Sequence, residues 1–161
     1  MEQTAISYDK FHKCISEIVK ISDKILDGWH LHVKDDLSYL AKKSTTLLGD
    51  TVVTFEYHIA FNLSYGVPVL CFNVWRQDGS MLSMEEYWST NKYLKESNMF
   101  DTLTQMDHPV LCRPFLTLHP CKTEEIMQPV LAISKNPVVS WLSVVSPFVH
   151  LELLDDYVKC C

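Results

Sequence analysis

Residues 52–63 read VVTFEYHIAFNL. Val53, Phe55, Tyr57, Ile59, Phe61 and Leu63 fall on one face, and Val52, Thr54, Glu56, His58, Ala60 and Asn62 on the other. A period of two with one apolar and one mixed face is the pattern of a half-buried antiparallel strand. Just upstream, the Thr-rich segment Leu37 to Leu48 reads as its partner, joined through Gly49-Asp50, a dipeptide suited to a tight hairpin. Downstream, Tyr65-Gly66 turns the chain into Val67 to Trp75, and Asp78-Gly79 turns it again, so a meander of three or four strands is expected.

Helices flank this meander in the sequence. From Tyr8, apolar residues recur at 11, 15, 18, 19, 25 and 26, a stripe of period near 3.6 that predicts an amphipathic helix ending at Gly28, with Cys14 close to the stripe as a packing residue. Ser83 with Glu86 has the form of a capping box for a short helix through Tyr87 and Trp88. From Phe100 to Cys121 regular periods vanish, and Pro109, Pro114 and Pro120 predict an ordered, extended segment with a short strand at Phe115 to Leu118. Thr123 reads as the N-cap of a helix from Glu124 toward Ile133, and Pro137 as the start of another carrying Trp141 and Leu142 that Pro147 kinks or ends. The layout is α+β, an antiparallel β-meander with helices packed on one face, and 161 residues without a visible linker predict a single domain spanning 1–161.

Fourteen basic against twenty acidic residues leave a net charge of −6, so nucleic acid is not an expected partner. No apolar run approaches the roughly 20 residues of a spanning helix, and MEQTAISYDKF lacks the apolar core of a signal peptide, so no stable membrane insertion and a cytoplasmic location are expected. The six cysteines, 14, 71, 112, 121, 160 and 161, are scattered through a chain large enough to build its own core, which predicts reduced thiols. Cys160-Cys161 has the look of a prenylation ending, but Val158 stands where C-a-a-X would need its cysteine.

Reactive side chains concentrate in HPVLCRPFLTLHPC, residues 108–121. Cys121 follows a proline and precedes a predicted helix start, whose dipole and free amides favour a thiolate if the sulfur points that way. Lys122 acts in the same direction, Glu124 and Glu125 against it. Even a cysteine near its ordinary pKa of about 8.5 is a few per cent thiolate at neutral pH, which is enough for exchange with an activated thioester. His119 can assist, although neighbours in sequence make a poor preformed dyad. His108, Cys112, His119 and Cys121 are also zinc-ligand types, but H-x3-C and H-x-C match no common finger spacing, and no metal is expected; His30-x-His32 is a weaker, solvent-facing candidate.

The segment LTLHPCKTEEIMQPVL (116–131) resembles the active-site region of the autophagy E2-like conjugating enzymes, with EYHIAFNLSYGVPVLCF (56–72) upstream and SWLSVVSPFVHLEL (140–153) downstream. The resemblance implies an E2-like fold and a transferase without cofactor. Cys121 would take the ubiquitin-like autophagy protein twelve from the E1-like autophagy protein seven and pass it to a lysine of autophagy protein five. Ubiquitin E2 enzymes carry a His-Pro-Asn element before their cysteine that stabilises the oxyanion, and this chain has none. His119, Tyr57 or His58 would have to supply the donor, with Asn62 and Asn73 poorer candidates. Two rivals stand beside this reading. One is a non-catalytic adaptor of the same fold with an inert Cys121. The other is the E2-like enzyme of the lipid-conjugated autophagy modifier, whose usual long insertions have no room in 161 residues.

Overall fold

The alternation at 52–63 is realised as β3 (Thr51–Asn62) in a computed structural model that describes residues 6–91 and 103–160. β2 (Leu37–Leu48) meets it through the two-residue turn Gly49-Asp50, with Gly49 at φ 62°, the left-handed conformation that a tight hairpin requires. β4 (Val67–Arg76) follows through a turn in which the Gly66 amide donates to the Asn62 carbonyl at 2.8 Å and the Tyr65 amide to Asn62 Oδ1 at 3.0 Å. That turn takes Leu63 out of the strand and leaves it exposed, so it does not complete the apolar face.

The sheet is wider than the expected meander. β1 (His30–Lys34) pairs with β2, while β5 (Leu103–Asp107) and β6 (Pro114–Leu118) form a hairpin whose second strand joins β4. The result is a six-stranded antiparallel sheet in the order β1-β2-β3-β4-β6-β5. Part of the segment expected to be irregular is therefore regular from residue 103; Phe100, where that segment begins, lies outside the described residues. β1 and β5 are the two edges. In β1 no residue is buried, and in β5 only Leu103 is, so neither strand needs the apolar alternation by which strands are recognised.

Helices cover one face, as expected. α1 (Tyr8–Ile25) opens on Ser7, whose hydroxyl accepts from the Lys10 amide at 3.1 Å, and lays Phe11, Ile15 and Ile18 on the sheet without any exposure. Each such side chain contributes about 1.5–3 kcal/mol. α1 closes with Leu26 in the left-handed region at φ 56°, two residues before Gly28. α2 (Met84–Thr90) has both bonds of the Ser83–Glu86 capping box. α3 (Pro120–Met127) starts four residues earlier than expected and stops six residues short of Ile133. Pro120 fits the first helical position because its missing amide is one the helix leaves unbonded there. Pro129 removes an amide and disfavours helical backbone at Gln128, which ends the helix. Thr123 is thus no N-cap but a buried residue within α3. α4 (Pro137–Val145) runs into a 3₁₀ turn, Ser146–Val149, that contains Pro147, and a second 3₁₀ turn spans Asp155–Cys160.

The larger core lies between these helices and the face carrying Val53, Phe55, Tyr57, Ile59, Phe72 and Leu116. A smaller one on the other face joins Tyr39, Ala60, Val69 and Cys71 to Val110 and Phe115 of the β5–β6 hairpin. Asn136 fastens α4 to α1: its Oδ1 accepts from the Val139 amide and its Nδ2 donates to the Cys14 carbonyl, both at 3.1 Å, with the residue buried. Asn136→Ala is expected to lower stability by about 2 kcal/mol, because a cap and a buried acceptor's partner are lost together. Urea denaturation measures this, and Asn136→Asp, which keeps only the cap, should lie between the two.

Candidate functional site

β6 ends at Leu118, and α3 begins at Pro120, so His119 is the single residue between strand and helix. Cys121 is the second residue of that helix, where backbone amides remain without intrahelical partners and the dipole is positive. The junction is therefore a strand-to-helix corner with the cysteine at its helical side. The Lys122 amide donates to the His119 carbonyl at 3.1 Å, closing the first turn. The Lys122 ammonium lies 3.5 Å from Glu125 in an exposed pair, so the nearest cation in sequence is already matched by a carboxylate. The Cys121 side chain lies outside the described residues.

His119 packs edge-on against Tyr65 of the β3–β4 turn, with ring centroids 6.0 Å apart, and Tyr65 is 40% exposed. Tyr65 was missed in the sequence reading, where Tyr65-Gly66 signalled only a turn. The usable signal was that a β3–β4 turn stands at the end of β4 beside which β6 must finish if β6 pairs antiparallel.

Tyr57 and His58 are both committed to other partners, on opposite faces of the sheet. Tyr57 faces the helices with no exposure, and its hydroxyl donates to the Val149 carbonyl at 2.7 Å. Burial raises its phenol above the ordinary range. His58 faces the opposite side, where Nε2 lies 2.9 Å from Glu56 Oε1 and Nδ1 lies 3.2 Å from His108 Nε2. Both ring nitrogens of His58 are thereby engaged within the sheet's second face. Asn62 holds the β3–β4 turn, and Asn73 is buried on the His58 side of the sheet, opposite Glu56.

The proposed metal-ligand types are not gathered either. His108 and Cys112 stand in the β5–β6 loop before β6, His119 and Cys121 after it, and five residues of strand separate the pairs by roughly 16 Å. His30 and His32 lie on exposed β1, with His32 stacked on Tyr39 at 5.3 Å. Among the described residues no three ligand-type side chains converge as a metal site. Cys14 and Cys71 are buried, and desolvation raises both thiols, that of Cys71 to about 12. Cys112 is exposed in the β5–β6 loop, and Cys161 lies outside the described residues.

A strand-to-helix corner carrying His-Pro-Cys, in an α+β chain with helices on one sheet face, can be compared with known proteins. Relatives named ubiquitin-like-conjugating enzyme ATG10 include one from Homo sapiens, 40% identical over 71% of this chain and 56% of its own length. Another, from Dictyostelium discoideum, is 30% identical over 67% of this chain and 55% of its own length. The chain thus spans about half the length of these curated relatives. A solved structure titled "Crystal structure of Autophagic E2, Atg10" superposes with a TM-score of 0.60 at 17% identity, covering 90% of this chain and 94% of that one, and so shares the E2-like fold. Residues 31–156, which include the whole sheet beyond His30 and the His119–Cys121 corner, match the family described as "Autophagocytosis associated protein, active-site domain", and the chain belongs to that family.

Proposed function

We propose that the chain is an E2-like acyl carrier in which Cys121 holds a ubiquitin-like protein as a thioester. The observation that carries this reading is the place of Cys121 at the start of α3, directly after β6, in a chain of the autophagocytosis active-site family. The modifier is the ubiquitin-like autophagy protein twelve, the donor the E1-like autophagy protein seven, and the acceptor a lysine of autophagy protein five. The names of the relatives support a conjugating enzyme, and the resemblance around Cys121 supports these particular partners.

In the first step the Cys121 thiolate attacks the carbonyl carbon of the E1 thioester and the E1 thiolate leaves. In the second, the neutral acceptor amine attacks the Cys121 thioester, the Cys121 thiolate leaves, and the nitrogen gives up a proton to solvent or a nearby base. An amide replaces a thioester, with no oxidation and no cofactor. The tetrahedral intermediate needs a hydrogen-bond donor. His119 adjoins Cys121 through one residue and is buttressed by Tyr65, whereas Tyr57 and His58 are engaged elsewhere. His119 is accordingly the supporting residue in this reading.

Charging with E1, ATP and each candidate modifier tests the proposal, with a thiol-sensitive band on a non-reducing gel as its result. Single-turnover discharge from loaded enzyme tests the support. His119→Ala is expected to slow discharge by about 10²-fold, the scale of one lost oxyanion donor, and Tyr65→Ala by less. Unchanged discharge in both would move the donor role to a backbone amide of α3. Absence of any thioester would favour an adaptor with the same fold.

A further inference from the structure

Away from Cys121, the loop between β5 and β6 is held by hydrogen bonds whose direction can be read atom by atom. The amides of Val110 and Leu111 donate to His108 Nδ1 at 3.0 and 3.1 Å. A ring nitrogen accepting two amides carries no proton, so the proton of neutral His108 is on Nε2. That nitrogen lies 3.2 Å from His58 Nδ1, which must then accept. The His58 proton consequently stands on Nε2, 2.9 Å from Glu56 Oε1, while Trp75 Nε1 donates to Glu56 Oε2 at 3.1 Å. Each donor meets an acceptor only when both rings are neutral and Glu56 is ionised. Both histidines are buried, at 4% exposure for His58 and 1% for His108.

We propose that Glu56, His58 and His108 form an acid-sensitive clamp that holds residues 108–113 against the sheet at neutral pH and releases them when His108 gains a proton. A proton on His108 Nδ1 would confront two N–H groups. One on His58 Nδ1 would confront the His108 Nε2 proton. Neither can be accommodated without parting loop from sheet. Among the described residues, Glu56 is the anion that bears on a His108 cation. Tyr39 of β2 packs against both rings and carries His32 of β1 on its outer side, Phe115 of β6 closes the third side, and Arg113 of the loop and Lys43 of β2 are cations. Cys71 of β4, opposite His58 in the register, is an un-ionised thiol.

The direction of the effect follows from the histidine. Burial foremost, with the Arg113 cation acting in the same direction, holds His108 down at about 3, below the ordinary 6.5. A group so depressed supports the closed loop fully above 6.5, and the support is lost as pH falls from there toward 3. The open-to-closed ratio therefore rises about tenfold per pH unit across that window. Glu56, lowered to about 2 mainly by its bond from His58, contributes only below its ordinary 4.5. Release takes Val110 from the smaller core and uncovers Tyr39, Val69 and Cys71. It also frees the loop end of β6, the strand that leads to Cys121.

Residue-resolved amide exchange tests the clamp without recourse to conjugation chemistry. Protection factors at Val110 and Leu111 should fall about tenfold per unit from about pH 6.5 to about pH 5, while those of the β2–β3 ladder stay constant. His108→Asn offers an amide oxygen to the same two backbone donors, as an Asx turn does, and cannot titrate; its protection should be independent of pH over this range. A flat profile in the unsubstituted protein, or the same slope in His108→Asn, would overturn the clamp. Nitrogen shifts of the His108 ring add a check that needs no variant: Nδ1 should be unprotonated and Nε2 protonated at neutral pH, and the reverse tautomer would contradict the chain of donors.

Discussion

Cys121→Ala should abolish the thiol-sensitive adduct with the modifier completely, while each of Cys14→Ala, Cys71→Ala and Cys112→Ala should retain it. The expectation rests on what a thioester needs from a cysteine: a reachable sulfur and an accessible thiolate. Cys14 and Cys71 are 3% and 1% exposed, and desolvation raises both thiols, so neither can meet a protein-bound carbonyl without unfolding its surroundings. Cys112 is exposed, but it lies in the β5–β6 loop at the far end of β6 from α3, without a helix terminus of its own. Among the described residues, Cys121 is the cysteine that stands at a helix start, which favours its thiolate. Cys121→Ser sharpens the test, because an oxygen ester formed there would survive thiol reagent. A thiol-sensitive adduct persisting in Cys121→Ala would remove the proposed chemistry from this corner, and its disappearance in Cys112→Ala instead would move the carrier role to the loop.

How far such a site can be read from sequence depends on which forces leave a local mark. β3 was legible because one of its faces is packed on helices and the other is mixed, so the pleat writes its period into the residues. β5 was not: an edge strand with only Leu103 buried is held by backbone pairing to β6, and backbone pairing carries no side-chain signature. α3 was placed too late because Thr123 and the two acids after it mimic a helix start, while Pro120 and Pro129 set its true ends. In the site, His-Pro-Cys was legible as a motif, and the residues around it were not. Tyr57 and His58 are neighbours in sequence, and alternation does send them to opposite faces. It does not say that Val149, 92 residues away, claims one, or that His108, 50 residues away, claims the other. Tyr65 comes to His119 by the same kind of long-range closure.

Tyr57 separates these two levels, because its sequence role and its structural position lead to opposite expectations. If its hydroxyl stabilised an oxyanion, Tyr57→Phe would slow discharge and leave stability nearly unchanged. Its position gives the reverse. The ring stacks on Phe55 at 5.3 Å and contacts Phe72 at 6.3 Å, and the hydroxyl donates at 2.7 Å to the Val149 carbonyl in the turn after α4. Tyr57→Ala would remove a fully buried ring from the middle of the larger core, and a loss of about 3–5 kcal/mol is expected from transfer and cavity together. That is a large share of the stability of an ordinary single domain, so much of the variant should be unfolded or aggregated near body temperature. Tyr57→Phe keeps the ring and strands the Val149 carbonyl without its donor, at an expected cost of about 1–3 kcal/mol. Thermal denaturation measures both losses, and single-turnover discharge normalised to folded, loaded enzyme measures the chemistry. Tyr57→Phe should melt earlier and discharge at the unsubstituted rate. A variant that melted normally but discharged about 10²-fold more slowly would instead require the hydroxyl to leave Val149 and reach the thioester during transfer.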